Sequence, residues 1–399
     1  MVVKFVTTRS LGLPRGPKLA IRFLQYRAKS TQAVPSKDHF RRIAPPPPPP
    51  HFLLPNKMLL RALLVATVSS HSWLLKPALR VLSLLAHPRV SLLDVNKNPL
   101  LRQILKMTFY NHFCAGESGA GVQSTIRKIK DMGFRGGDFD LRERIVIGAS
   151  ASKTKDFPTS QNSHSESAQH PDIAAWRESV LETVALDLMR EYNQKGVAVV
   201  YNTYQAYLKS TPVNLLSHLE LAEKEGFTIG IKLVRGAYIA SEPRALINDT
   251  KPETDHLYNT MAEGIIRRQY GSFGSGDRPF PSAGLFLATH NKKSVLKADQ
   301  MSQEQLSLKR PMTKTQYGQL LGMADGFSCR LLQLGQEMSK TPRQTSPEVF
   351  KCLSWGTLKD CLSYLLRRAV ENRDGVGRTK EEYLLLKQET MRRLKRGFM

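Results

Sequence analysis

The chain has few cysteines. Its 399 residues hold only Cys114, Cys329, Cys352 and Cys361, and no two of these make a Cys-x-x-Cys pair. That excludes the usual spacing of a zinc site or a redox dithiol, and buried free thiols in a reducing compartment are expected. His164 and His170 have no metal-ligand spacing either, so no metal site is expected. Long apolar runs are absent. The stretch from Met58 to Val68 carries Arg61 and ends in polar residues, short of the ~20 apolar residues a bilayer span needs. Acidic residues are scarce, 34 against 59 basic ones, and none precedes Asp38. A net charge of +25 can signal nucleic acid, an anionic membrane surface or a targeting segment. With no zinc-finger spacing and no aromatic-basic RNA-binding motif, no nucleic-acid partner is expected.

What is present organises the chain. The Arg-rich, hydroxyl-containing start up to about residue 44, acid-free before Asp38, has the composition of a mitochondrial presequence or, alternatively, of a basic tail. A proline run, Pro45 to Pro50, reads as a stiff polyproline spacer. We assign 1–56 to presequence and linker. A helical region follows over 57–133, with helices expected at Leu74 to Leu85 (Lys76 and Arg80 on its polar side), Leu100 to Phe113 and Asn111 to Phe134. Residues 150–172, rich in Ser, Thr, Gln, Asn and His, read as a disordered insert. A basic helix or tail closes the chain over 377–399.

Between 134 and 376, helices and short apolar strands alternate. Strands are predicted at Val197 to Tyr201, Thr228 to Val234, Gly284 to Thr289, Gln316 to Met323 and Val349 to Trp355. Helices are predicted at Glu182 to Gln194, Leu215 to Glu225, Tyr258 to Tyr270 and Leu358 to Glu371. Buried strands between covering helices imply a parallel α/β sheet, open or closed into a barrel. Three strands in succession run into polar residues, at Asn202 to Gln205, Arg235 to Tyr238 and Thr289 to Asn291. In a parallel barrel such ends share one rim, where active sites gather. Tyr364, Arg367, Arg368 and Glu371 share a helix face. Adjacent arginines suit a carboxylate, although a solvated charged face would show the same spacing.

Gln205-Ala-Tyr-Leu-Lys209, Lys232-Leu-Val-Arg-Gly-Ala-Tyr238, Ala288-Thr-His-Asn291, Gln319-Leu-Leu-Gly-Met-Ala-Asp325 and Tyr364 to Asn372 occur in the order found in proline dehydrogenases. Over most of 57–390 the chain resembles that family, in particular its fungal mitochondrial type. The resemblance implies a distorted (βα)8 TIM-like barrel that binds FAD without a Rossmann fold, and no Gly-x-Gly-x-x-Gly occurs here. It implies oxidation of L-proline to Δ1-pyrroline-5-carboxylate, with electrons passed to a membrane quinone on the matrix side of the mitochondrial inner membrane. By resemblance, Gln205 meets the polar edge of the flavin. Lys232 stands near its N5 region, where a cation stabilises the reduced, anionic ring. Arg235, Gly236 and Ala237 follow the ribityl and phosphate portion, and Thr289 and His290 hold the adenosine side. Arg367 and Arg368 pair with the proline carboxylate, Tyr238 and Tyr364 wall the substrate pocket, and Glu371 completes the cofactor side by orienting an arginine. Lys232 and Tyr238 are the residues expected beside the reacting atoms.

The sequence also departs from the family. A strand ending in lysine-threonine-glycine and another ending in an acidic pair belong between Trp176 and Val197, where Leu181-Glu-Thr183 passes directly into Val184-Ala-Leu-Asp187. About two βα units of roughly 30 residues each are absent. Phe134 to Asp140 is also too charged and Gly-rich to be expected as a buried strand. An incomplete barrel with unpaired edges is therefore expected, and beside the active enzyme stands the alternative of a remnant or splice form acting only as a binding protein.

Overall fold

A computed structural model of the chain describes residues 49–139 (except 87 and 89), 183–236, 242–271, 278–338, 346–371 and 376–397. The presequence reading, the insert at 150–172, Ala237 and Tyr238 lie outside the described residues.

Among the described residues the sheet has six strands: β1 Gly136–Phe139, β2 Asn202–Gln205, β3 Ile229–Val234, β4 Ala283–Ala288, β5 Lys314–Leu320 and β6 Glu348–Leu353. Every pairing is parallel, in the spatial order β1-β6-β5-β4-β3-β2. The order from β2 to β6 is sequential and β1 closes on β6, as in a barrel read around its circumference. No pairing joins β1 to β2 among the described residues. That seam falls in the part of the chain, between Trp176 and Val197, where two βα units are expected to be missing. Val184, Val197 and Val199 are exposed close to it in the sequence.

Parallel strands need crossovers, and helices supply them: α5 Thr211–Glu225, α6 Lys251–Arg267, α7 Lys292–Ser307 and α8 Asp325–Met338, with α9 Leu358–Glu371 following the last strand. Their starts and stops follow local chemistry. Gly226 ends α5 at φ 76°, Thr250 and Glu253 form a capping box on α6, and the Asn291 side chain caps α7. Ile229, Ile231, Leu233, Leu285 and Leu287 are fully buried and share the main core with Leu215, Leu219, Met261 and Val295 of the covering helices. The alternate residues of β3 and β4 therefore face the barrel interior.

Several expectations need correction. The apolar run 197–201 is not in the sheet, and β2 begins at Asn202. A Cβ on Gly230 would stand 2.0 Å from the Val200 carbonyl, and one on Gly284 would stand 2.7 Å from Ala198 Cβ. Residues 198–201 thus lie across the inner face, in space those glycines leave. The buried Asn193 side chain takes the Val199 and Val200 amides at 2.8 Å and donates to the Val200 carbonyl at 2.7 Å. Tyr201 Oη donates to Gln316 at 3.0 Å, and Gln316 donates to Glu348 at 2.9 Å, so the N-terminal end of the sheet is plugged. The second correction is β1, which forms despite its two glycines. It pairs along β6, and a Cβ on Gly136 would stand only 4.0 Å from the Phe350 ring.

The N-terminal helices are α1 Asn56–Ser70, α2 Ser72–Ala86, α3 Pro99–Leu105 with a π-helical continuation Lys106–Tyr110 and a last turn Asn111–Phe113, and α4 Gly119–Asp131. The helix expected over 111–134 is interrupted at residues 114–118, where Ala115 N donates to Ser354 O at 2.8 Å. Pro50 opens a short 3-10 turn, Pro50–Leu53, rather than extending the polyproline run. A last helix, α10 Val376–Gly397, packs on α1 through Leu386 and buries Glu389 against Arg392 and Arg393. A second core joins α2, α3 and α9 through Leu85, Val95, Tyr110, Cys114, Leu358, Cys361 and Leu362. All four cysteines are free and buried, as expected.

Candidate active site

The C-terminal ends of β2, β3 and β4 bring most of the expected residues together. Gln205 is the last residue of β2, paired with Val234, and Lys232 is paired with Thr203 on one side and Phe286 on the other. Both side chains are buried, on inward positions of adjacent strands. The Lys232 ammonium lies 5.9 Å from the centroid of the Phe286 ring. Beyond β2, Ala206 N and Tyr207 N bond to Val234 O and Arg235 O at 2.8 Å, so the two strand ends leave the sheet together.

Arg235 is the hub of the rim. Nε donates to Asp255 at 2.6 Å, Nη1 to the Thr289 hydroxyl at 2.7 Å and Nη2 to the Ser294 hydroxyl at 2.7 Å. The guanidinium sits 4.2 Å from the Tyr258 ring centroid, a cation–π contact. Burial pulls the Asp255 carboxyl upward, but Lys251 and Arg235 outweigh it and hold the group below its ordinary range. One side chain thereby ties the end of β3 to α6, the end of β4 and the start of α7. Thr289 also accepts from Asn291 N at 3.1 Å, which fixes the turn that carries His290. Gly236 follows at φ 150°, and a Cβ there would stand 1.6 Å from the Tyr207 ring, so only glycine passes.

The arginine helix is positioned from below. Glu117 Oε1 accepts from Leu358 N at 3.2 Å at the start of α9, and Glu117 is itself held by Lys106 and Arg102. Burial raises the Glu117 carboxyl, and the Lys106 contact reverses this to a net lowering. Tyr110 Oη donates to Gly356 O at 2.8 Å. Tyr364 is half-buried and packs on the second core. Arg367, Arg368 and Glu371 follow on the last turns of α9, and what their side chains touch lies outside the described residues.

Several supporting residues were not singled out in the sequence. Asp255, Ser294 and Glu117 are ordinary helix-start residues there, and only their long-range partners mark them. Asp325 closes the Gln319 to Asp325 motif but does not reach the rim. It forms a buried pair with Lys351 at 2.7 Å, on the outer side of β6, and Lys351 also donates to Ser328 Oγ at 2.8 Å.

The family model of proline dehydrogenase matches residues 173–381, more than half of the chain. The chain belongs to the proline dehydrogenase family. A Schizosaccharomyces pombe protein named probable proline dehydrogenase, mitochondrial, is 39% identical over 225 residues, 54% of this chain and 44% of that protein. Hydroxyproline dehydrogenase of Bos taurus is 36% identical over 201 residues, covering 50% of this chain and 41% of the relative. The chain thus spans less than half the length of these family relatives. Proline utilization A from Bdellovibrio bacteriovorus, in a crystal structure of the enzyme inactivated by N-propargylglycine, superposes with a TM-score of 0.51 at 16% identity, over 79% of this chain and 38% of that one. At that identity the likeness concerns the fold: a (βα)8 barrel, here lacking its closure between β1 and β2 among the described residues.

Proposed function

We propose that this chain oxidises L-proline at the ring carbon beside the nitrogen, giving Δ1-pyrroline-5-carboxylate, with FAD bound at the strand-end rim. The observation that carries this reading is the rim itself: Gln205, Lys232, Arg235 and Thr289 stand at successive strand ends inside the segment that matches the family. These residues fit the cofactor. Lys232 and Gln205 put a cation and a carboxamide on the inner face of adjacent strands, a donor set suited to the polar edge of a flavin. Among the described residues, three of the five Arg235 N–H groups bond to Asp255, Thr289 and Ser294, and a guanidinium so fixed presents an oriented cation to a phosphate. Gly236 and Ala237 follow the ribityl and phosphate portion along that strand end, and Thr289 and His290 take the adenosine side. When bound, FAD supplies the two-electron acceptor.

The protein's part is binding and orientation. Arg367 and Arg368 grip the substrate carboxylate from α9, and Tyr238 and Tyr364 wall the pocket. Glu371 orients an arginine, and Lys232 holds positive charge beside the reacting atoms with Tyr238. Electrons pass to a membrane quinone, on the matrix side of the mitochondrial inner membrane, after removal of a presequence within 1–56. The helical region 57–133 supports the barrel 134–376, and the basic segment 377–399 packs against that helical region.

A second reading is favoured by the lack of pairing between β1 and β2 among the described residues: a chain that keeps the family's rim but serves only as a binding protein. Dye-coupled oxidation assays with L-proline and with hydroxyproline separate the readings. Proline-dependent dye reduction supports the first, reduction only with hydroxyproline reassigns the substrate, and none with either supports the second.

A further inference from the structure

The elements that build the second core turn apolar side chains outward. On α3 and its continuation, Leu100, Ile104 and Met107 are spaced four and three residues apart and are 71%, 51% and 60% exposed. On α2, Trp73 is 72% exposed, and Val81 and Leu84 follow on the same outward stripe, interleaved with exposed Lys76 and Arg80. Leu92, in the turn between the two helices, is 70% exposed. Single exposed aliphatics need no explanation, but periodic ones on consecutive helices do. Around α2 the charge has one sign, since no acidic residue lies between Asp38 and Asp94, while on α3 Glu117 pairs with Arg102 and Lys106.

We propose that α2, the 90–93 turn and α3 dock this chain in the interface of an anionic lipid bilayer. Aliphatic side chains enter the acyl boundary, Trp73 sits at headgroup level, and Lys76 and Arg80 extend to lipid phosphates. The helices lie in the surface rather than cross it. No single helix among the described residues is long and apolar enough to span, and α1, which forms the only bent pair with α2, buries Leu59, Ala62 and Ala66 in the main core. A second copy of the chain is the poorer occupant, because a two-fold contact would set Lys76 and Arg80 against the same cations. Docking would hold α9, which shares the second core, close to the bilayer. It thereby deepens the reading in which a membrane quinone takes the electrons, without depending on catalysis.

The test is co-sedimentation of the full chain with vesicles of phosphatidylcholine alone or mixed with phosphatidylglycerol. The account expects binding to the anionic vesicles that weakens with salt. It expects at least a ~10-fold loss in Leu100→Ser/Ile104→Ser, the consequence of removing two buried aliphatic contacts. It also expects quenching by brominated lipid that falls in Trp73→Phe. Undiminished binding of the Leu100→Ser/Ile104→Ser variant would overturn the proposal by assigning the affinity to the basic start of the chain. Absence of vesicle binding would overturn it as well. So would a concentration-dependent dimer abolished by the same variant, which would give the surface to a second copy. Dye-coupled proline oxidation in solution, read in parallel, reports on the catalytic reading separately.

Discussion

The Nη1 of Arg235 donates to the Thr289 hydroxyl at 2.7 Å and so joins the C-terminal ends of β3 and β4. With Asp255 and Ser294 on its other nitrogens, Arg235 needs a planar, multi-donor head. Arg235→Lys keeps the charge and loses the fork. We expect a loss of about 2 kcal/mol in unfolding free energy by urea titration, and lower flavin retention in the purified protein. Stability equal to the parent would remove Arg235 from its role as the rim's clamp.

The substrate reading rests on α9. Arg367→Met and Arg368→Met should each raise the apparent KM for proline by about 10–100-fold, the value of a charge-assisted contact to a carboxylate, while flavin content stays near that of the parent. An unchanged KM in both variants would release these residues from the clamp.

Lys351 and Asp325 form a pair that is nearly inaccessible to solvent, 3% and 8% exposed as side chains. Burial raises the Asp325 carboxyl, but Lys351 and His112 bring it below its ordinary range. Asp325→Ala strands a buried ammonium and should cost about 3–5 kcal/mol, whereas Asp325→Ala with Lys351→Met should recover most of that loss. Urea midpoints of the single and double variants decide the point.

Burial pushes the His112 imidazole down to about 4, so the folded chain keeps it neutral where the unfolded chain already takes up a proton near ~6.5. The unfolded state then binds more protons between about pH 6.5 and 4, and stability falls as pH drops through that window. The contribution is on the order of 3 kcal/mol. Thermal unfolding across this range should show the slope in the parent and a shallower one in His112→Gln.

Most of the barrel is legible in local sequence because its signals are local. Gly226 stops α5, Thr250 and Glu253 start α6, and the continuous burial of β3 and β4 shows in their apolar runs. The start of β2 is not legible. Val197 to Tyr201 has strand composition, yet pairing begins at Asn202, because Gly230 and Gly284 on two later strands admit the preceding segment across the inner face. Likewise Gly136 and Gly137 argue against a strand until β6 supplies the neighbouring ladder. At the rim, the motif residues are readable in the sequence, but Asp255 and Ser294 gain meaning only from the guanidinium 20 and 59 residues away that they hold.

The visible absorption spectrum of the purified full chain, recorded without oxygen before and after addition of L-proline, tests the central claim most directly. The account expects a flavin spectrum that bleaches with proline, which would mean that the rim works although no pairing joins β1 to β2 among the described residues. A chain that purifies without flavin absorbance, or whose flavin does not respond to proline, would contradict it.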